Sequence, residues 1–280
     1  MSSETCICCE ATRNRGYLAG LRQCTDCGHV WADATISDDE LQKLYGERYF
    51  RGDEYADYAR EAPALAKNFR RRVRTLVRRH PAGGFLWEIG AAYGYFLKVA
   101  GDHFTVAGCD VSDFAAAYAR SQLGLDVQTG DYLAVSPPRT CDVICLWDTI
   151  EHMRSPQLCL EKARTELGSG GTLAVSTGDI GAAFARWRGA KWRLIHPPTH
   201  LHYFTRASLT RLLARLGFDA IQTSYEPFCR SADAAAYRLL GQRRGAWGKA
   251  IYGGLRNAGL LRFTFSINTR DIMTVYARKG

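Results

Sequence analysis

The sequence predicts an α/β protein: a doubly wound, mainly parallel seven-stranded sheet, with a small N-terminal metal-binding module and helical additions. Two observations carry this. From residue 85 to about 225, short apolar runs alternate with helical stretches, the rhythm of a parallel sheet with crossover helices. Ahead of that region, the first 33 residues hold two Cys-x-x-Cys pairs. Strands are expected at 85–89, 105–109, 126–128, 141–147, 172–177 and 218–225, with 270–279 as a closing strand and helices such as 113–122 and 155–167 between them. The chain therefore divides into a module at 1–33, a helical connector or lid at 34–84, and a main domain at 85–280 that carries a basic helical insertion near 230–262.

The bulk properties narrow the function classes. With 280 residues and 46% hydrophobic content, the chain can pack a substantial core, which excludes global disorder. No run of eighteen apolar residues occurs and the N-terminus lacks a secretory pattern, so a cytoplasmic protein is expected. The net charge of +9 suits a polyanion or a phosphorylated ligand. Much of it sits in "KNFRRRVRTLVRRH" (67–80), where Phe69, Val73, Leu76 and Val77 form an apolar helix face and the arginines read as a solvated one.

Five of the ten cysteines lie within the first 27 residues. "CICC" and "CTDC" place Cys6/Cys9 and Cys24/Cys27 in two knuckles, each able to set two thiolates on one side of a zinc ion. Cys8 in place of Cys9, or His29 in place of Cys27, are the open alternatives. Four thiolates would close the site to chemistry, so the zinc is expected to be structural. Downstream, Ser37 and Glu40 read as a capping box. Tyr45, Tyr49, Phe50, Tyr55 and Tyr58 read as packing or as a lid, and Pro81-Ala82-Gly83-Gly84 as a boundary.

In an open parallel sheet the ligand lies beyond the carboxyl ends of the strands. Here the first strand ends in Glu88 and a Gly90/Gly94 loop, the second in Asp110-Val111, the third leads to Asp131-Tyr132, and the fourth ends in Trp147, Asp148, Glu151 and His152. A pyrophosphate loop would need G-x-G-x-x-G, and a carboxylate before it would repel phosphate. An acid-lined loop suits S-adenosylmethionine instead, with its sulfonium, ammonium and ribose diol. Asp110 is placed for the ribose hydroxyls and Asp131 for the adenine amino group, with Tyr132 beside the ring. Trp147 is placed on the adenosine side or the methyl path.

"EIGAAYG", "GCDVS", "GDYL" and "DVICLWDTIEHM" resemble, in order, the four motifs of class I S-adenosylmethionine-dependent methyltransferases over about 85–225. The departure is Ala92, where that family usually has glycine; a methyl group is tolerable there if φ is negative. "CxxC…CxxCGHVW" before "YGERYF", together with "HPPTHLHYFTRASLTRLLARLGF" (196–218), resembles methyltransferases with an N-terminal zinc-binding region that act on sugars, nucleotide-linked sugars and secondary-metabolite intermediates. That resemblance implies a lid from Tyr49, Phe50 and Tyr58, and an acceptor pocket lined by 196–204.

Methyl transfer is a displacement that needs alignment and, for an O or C nucleophile, a proton acceptor. His152, His200 and His202 are the candidate bases, with Tyr203 beside them. The leading reading is methylation at O or C of a small molecule, phosphorylated or nucleotide-linked in keeping with the charge. An RNA methyltransferase ranks second, since no Asn/Asp-Pro-Pro-aromatic motif follows the fourth strand. A non-catalytic cofactor-binding protein ranks third. The basic segment 238–263, with Trp247 and Tyr252, reads as packing on the sheet or as a contact in a homodimer, ahead of a membrane or lipid-linked acceptor.

Overall fold

The computed structural model describes residues 5–33, 40, 58–241 and 245–280. The cap at Ser37, the aromatics Tyr45, Tyr49, Phe50 and Tyr55, and the side chain of Tyr58 lie outside the described residues.

A seven-stranded sheet organises the chain. Its parallel strands are β4 (Phe85–Ile89), β5 (Thr105–Asp110), β6 (Val127–Thr129), β7 (Cys141–Trp147), β8 (Leu167–Gly178) and β10 (Phe218–Ser224), and its one antiparallel strand is β13 (Ile272–Lys279). The order is β10-β13-β8-β7-β4-β5-β6. The chain leaves β4 toward β5 and β6, then returns to the other side of β4 as β7. That reversal opens a crevice at the carboxyl ends of these strands.

Alternation along each strand feeds two cores. Phe85, Trp87 and Ile89 of β4 join Ile144 and Leu146 of β7, against Leu160 and Ala163 of α4 (Pro156–Glu166) and Leu209, Leu212 and Leu213 of α6 (Arg206–Arg215). On the opposite face, Leu86, Val143 and Cys145 pack under Phe69, Val73 and Leu76 of α1 (Tyr58–Arg79). Phe96 and Leu97 of α2 (Tyr95–Ala100) and Ala115, Ala116 and Ala119 of α3 (Asp113–Leu123) complete that layer. Each fully buried Leu or Ile side chain contributes roughly 1.5–3 kcal/mol. Glu88 lies on this second face, directly below α1.

The N-terminal strands β1 (Asn14–Gly16), β2 (Arg22–Cys24) and β3 (Val30–Trp31) form an antiparallel sheet whose fourth strand, β9 (His202–Tyr203), comes from the main domain. Val30 faces Tyr203 and Trp31 faces His202 in this register. Ala32 N–H donates to the Leu201 carbonyl at 2.9 Å, and Arg215 reaches Glu10 at 2.6 Å and the Ile7 carbonyl at 2.8 Å. The module is thus stitched to the loop that the sequence assigns to the acceptor.

The insertion is mixed rather than purely helical. A hairpin of β11 (Phe228–Ser231) and β12 (Thr264–Ile267) frames α7 (Ala232–Ala236), a π-helical turn at Tyr237–Gly241 and α8 (Gly245–Asn257). Tyr252 turns inward and donates its hydroxyl to Asp233 at 2.9 Å, whereas Trp247 is 69% exposed. Among the described residues, no helix is long and apolar enough to cross a membrane.

Candidate active site

At the carboxyl ends of β4, β5 and β7 lies a cavity of about 560 Å³. The loop after β4 shapes one wall. Gly90 has φ +76°, and a Cβ there would fall 2.5 Å from Thr149 Oγ1, so only glycine fits. Gly94, also left-handed at φ +78°, caps α2 but does not line the cavity; a Cβ there would strike Leu125. Ala92 departs from the sequence expectation: its φ is +48°, not negative. The strained turn aims its N–H at Asp110 Oδ2, 2.7 Å away.

Asp110 is buried at the cavity wall, and its Oδ1 accepts from Ser112 N–H at 2.8 Å. Each oxygen keeps a second lone-pair direction for a ribose hydroxyl. Burial pushes its pKa up to about 6 against the downward pull of the two amides. Glu88, 3% exposed, lines the same wall, and its Oε2 has no hydrogen-bond partner among the described residues. Burial first, then the nearby Asp110, raise its pKa well above the ordinary carboxylate range, while Arg72 opposes them. A buried, unpartnered carboxylate oxygen is an acceptor waiting for a cation such as an amino-acid ammonium. The residues present therefore fit S-adenosylmethionine.

Val111, Asp131, Tyr132 and Trp147 also line the cavity. Asp131 Oδ1 accepts from Leu133 N–H at 2.9 Å, which holds the loop, and its Oδ2 lies 3.9 Å from Arg154. The Tyr132 hydroxyl is committed to Glu166, so only the ring is presented. Trp147 is clasped between Phe96, edge-on at 5.2 Å, and the Arg72 guanidinium at 4.4 Å from the ring centroid.

Sequence reasoning missed Arg72. It is 5% exposed, within 3.5 Å of Asp148 Oδ2, and lines the cavity rather than facing solvent. The signal was present: residue 72 stands three after Phe69 and four before Leu76, on the apolar stripe itself. Arg193 and Arg230 also line the cavity without having been singled out as site residues, and His196 lines it from the 196–204 loop that the sequence assigns to the acceptor.

The opposite end of the cavity carries Glu151, His152 and His200. His152 Nδ1 lies 2.8 Å from the Thr199 carbonyl, and its ring meets that of His200 edge-on at 4.5 Å. His196 packs on His200 at a tilt, with ring centroids 3.9 Å apart. Burial lowers His152 to about 4 and drives His200 far below the ordinary imidazole range, so both are neutral near pH 7. Glu151 is pushed up to about 8 by burial and then by Asp148.

One candidate base and the tyrosine beside it are elsewhere. His202 and Tyr203 do not line the cavity, because β9 pairs with β3 and turns both side chains into the junction with the module. His202 Nδ1 lies 3.2 Å from His29 Nε2, and Tyr203 packs with Leu21, Val30 and Trp192 and donates its hydroxyl to the His200 carbonyl at 3.0 Å.

In the module, Cys6, Cys9, Cys24 and Cys27 converge, each with its Sγ within 4.8 Å of the other three. The pairs Cys6–Cys27 and Cys9–Cys24 stand 3.5 Å apart. Cys8 is not one of these four, although its thiol packs against Cys6 and Cys27, and His29 is turned to His202. Four thiols at this spacing suit a tetrahedral metal ion.

Residues 58–223 match the family model of a methyltransferase domain. No curated protein is significantly similar to the sequence. The fold is similar to that of magnesium protoporphyrin IX methyltransferase from Synechocystis PCC 6803 with bound SAH, with a TM-score of 0.55, 13% identity, 87% of this chain and 100% of that one. A SAM-dependent methyltransferase from Archaeoglobus fulgidus aligns with TM-score 0.51 and 15% identity over 83% of this chain and 97% of that one. A possible histamine N-methyltransferase from Thermotoga maritima gives 0.51 and 17% over 87% and 97%.

Proposed function

The chain belongs to the methyltransferase-domain family and is an S-adenosylmethionine-dependent methyltransferase; on that premise we propose that it methylates an oxygen of a small anionic acceptor, a phosphorylated or nucleotide-linked sugar or a related biosynthetic intermediate. The observation that supports this reading is the charge of the far wall. Arg193 and Arg230 line the main cavity and also an adjoining one of about 290 Å³, where Arg71, Arg72 and Arg270 join them opposite, among the described residues, only Glu226 and Asp271. Arginine in excess over carboxylate at a partly enclosed wall favours a phosphate or carboxylate group.

Glu88 and Asp110 would hold the ammonium and the ribose, with Asp131, Val111 and Tyr132 around the base. When bound, the cofactor supplies an electrophilic methyl whose C–S bond breaks, the electron pair staying on sulfur, as the acceptor oxygen takes the methyl. The protein's own work is alignment and exclusion of water. Trp147 and Arg72 form the wall between the two ends. His196, beside His200 at the far end, receives the acceptor's hydroxyl proton. In the module, the four thiolates bind a structural zinc, which fixes β3 and through it β9, the continuation of the His196–His200 loop.

The test is transfer of labelled methyl from S-adenosylmethionine into matched cell extract divided into RNA, neutral small molecules and anionic small molecules. Label in the anionic pool is the expected result. Label confined to RNA or to neutral compounds would contradict the acceptor class.

A further inference from the structure

The far end of the cavity holds more than bases. Glu151 and His152 sit on the 3-10 turn Ile150–His152 after β7, and His200 comes from the loop before β9. A backbone bond from Leu201 N–H to the Glu151 carbonyl, 2.8 Å long, ties the two segments together. One ligand atom from each of Glu151, His152 and His200 lies within 4.8 Å of the other two. Glu151 is 4% exposed, and its Oε2 has no hydrogen-bond partner among the described residues. All three side chains line the cavity.

A buried carboxylate oxygen with no donor, beside two imidazoles, lacks positive charge. A divalent ion supplies it. Neutral imidazole and carboxylate together suit first-row divalent ions, and one carboxylate with two histidines leaves coordination positions open to a ligand. The Thr199 carbonyl holds the His152 ring in place, as an outer-shell partner does for a metal-bound histidine. The donor set also differs from the four thiolates of the module, so the two sites would select different ions.

We propose that Glu151, His152 and His200 bind a divalent cation of the Mn²⁺/Fe²⁺/Zn²⁺ class, and that an oxygen of the acceptor completes its coordination shell. The second clause rests on the reading of this cavity as a methyltransferase site; the first does not. The bound ion polarises the acceptor's O–H and orients its oxygen toward the cofactor end, and His196, outside the ligand set, takes the proton released.

The experiment uses the whole, zinc-replete protein titrated with Mn²⁺ and followed by electron paramagnetic resonance, with total metal counted in parallel. Mn²⁺ competes poorly for thiolates, so it reports this site and not the module. The expected result is one bound Mn²⁺ per chain beyond the zinc, lost in both Glu151→Gln and His200→Asn while S-adenosylhomocysteine still binds. Retained cofactor binding shows that the variants fold. Absence of bound Mn²⁺ in the parent protein, or equal binding in the two variants, overturns the proposal. Full methyl transfer by metal-stripped protein would refute the acceptor's coordination and leave the proposed function standing. Bound Mn²⁺ without transfer to any acceptor would support the site and sink that function.

Discussion

Replacing Glu88 with glutamine should move stability and cofactor affinity in opposite directions. The carboxylate is buried, Oε2 has no partner among the described residues, and its pKa lies well above the ordinary 4.5. A group whose folded pKa is raised contributes stability that is present below the unfolded value and lost as pH climbs through the folded one. Glutamine keeps the shape and does not titrate, so it loses nothing over that range. Without ligand, Glu88→Gln should therefore melt at or above the parent protein, with an advantage that widens as pH rises above about 4.5. Cofactor binding should fall, because the ammonium loses a charged acceptor. A hydrogen bond to a charged group contributes about 1.5–3 kcal/mol, and 1.36 kcal/mol is tenfold, so Kd for S-adenosylmethionine should rise roughly 10- to 150-fold. Calorimetric titration and thermal melts across pH measure both. Unchanged affinity would remove Glu88 from the cofactor site. A variant that melts far below the parent would make it a structural residue.

Three further outcomes follow from the same geometry. Ala92→Gly relieves a left-handed alanine at a site where that conformation costs roughly 1–2 kcal/mol, so the variant should melt about 2–4 °C higher; a lower Tm would contradict the strain. Asp110→Ala should lose about 2–4 kcal/mol, because two amides lose their acceptor, and should bind S-adenosylhomocysteine several-fold more weakly. In the parent protein, affinity should decline as pH drops below about 6, where Asp110 protonates, and a flat profile from pH 5 to 8 would oppose this. The purified protein should carry one zinc from the module; Cys24→Ser should lose it and loosen the β3–β9 pairing, seen as faster amide exchange over 200–204, and unaltered exchange would separate module from loop.

What could be read from the sequence was what local pattern determines. Strands β4 and β7 match the expected 85–89 and 141–147 because both are apolar runs bounded by Gly, Pro or acid, and the acids at their ends fall on the cavity because parallel topology puts them there. Hidden features were those set by distant partners. The β11–β12 hairpin joins two four-residue strands more than thirty residues apart, with no turn motif between them. His200 and His202 look equivalent in "THLHYF", and only the pairing of β9 with β3 sends one to the cavity and the other to the module. The turn at Ala92 violates the usual preference of alanine for negative φ, so composition could not reveal it. Arg72 was legible and overlooked: its place on the apolar stripe outweighs its charge once Asp148 and Trp147 lie within reach.

The most direct measurement of the central claim is a crystal structure with S-adenosylhomocysteine. The account predicts the ribose hydroxyls on Asp110, the ammonium against Glu88 Oε2, and the sulfur directed toward the His152–His200 end. A ligand seated elsewhere, or one whose ribose avoids Asp110, would contradict it.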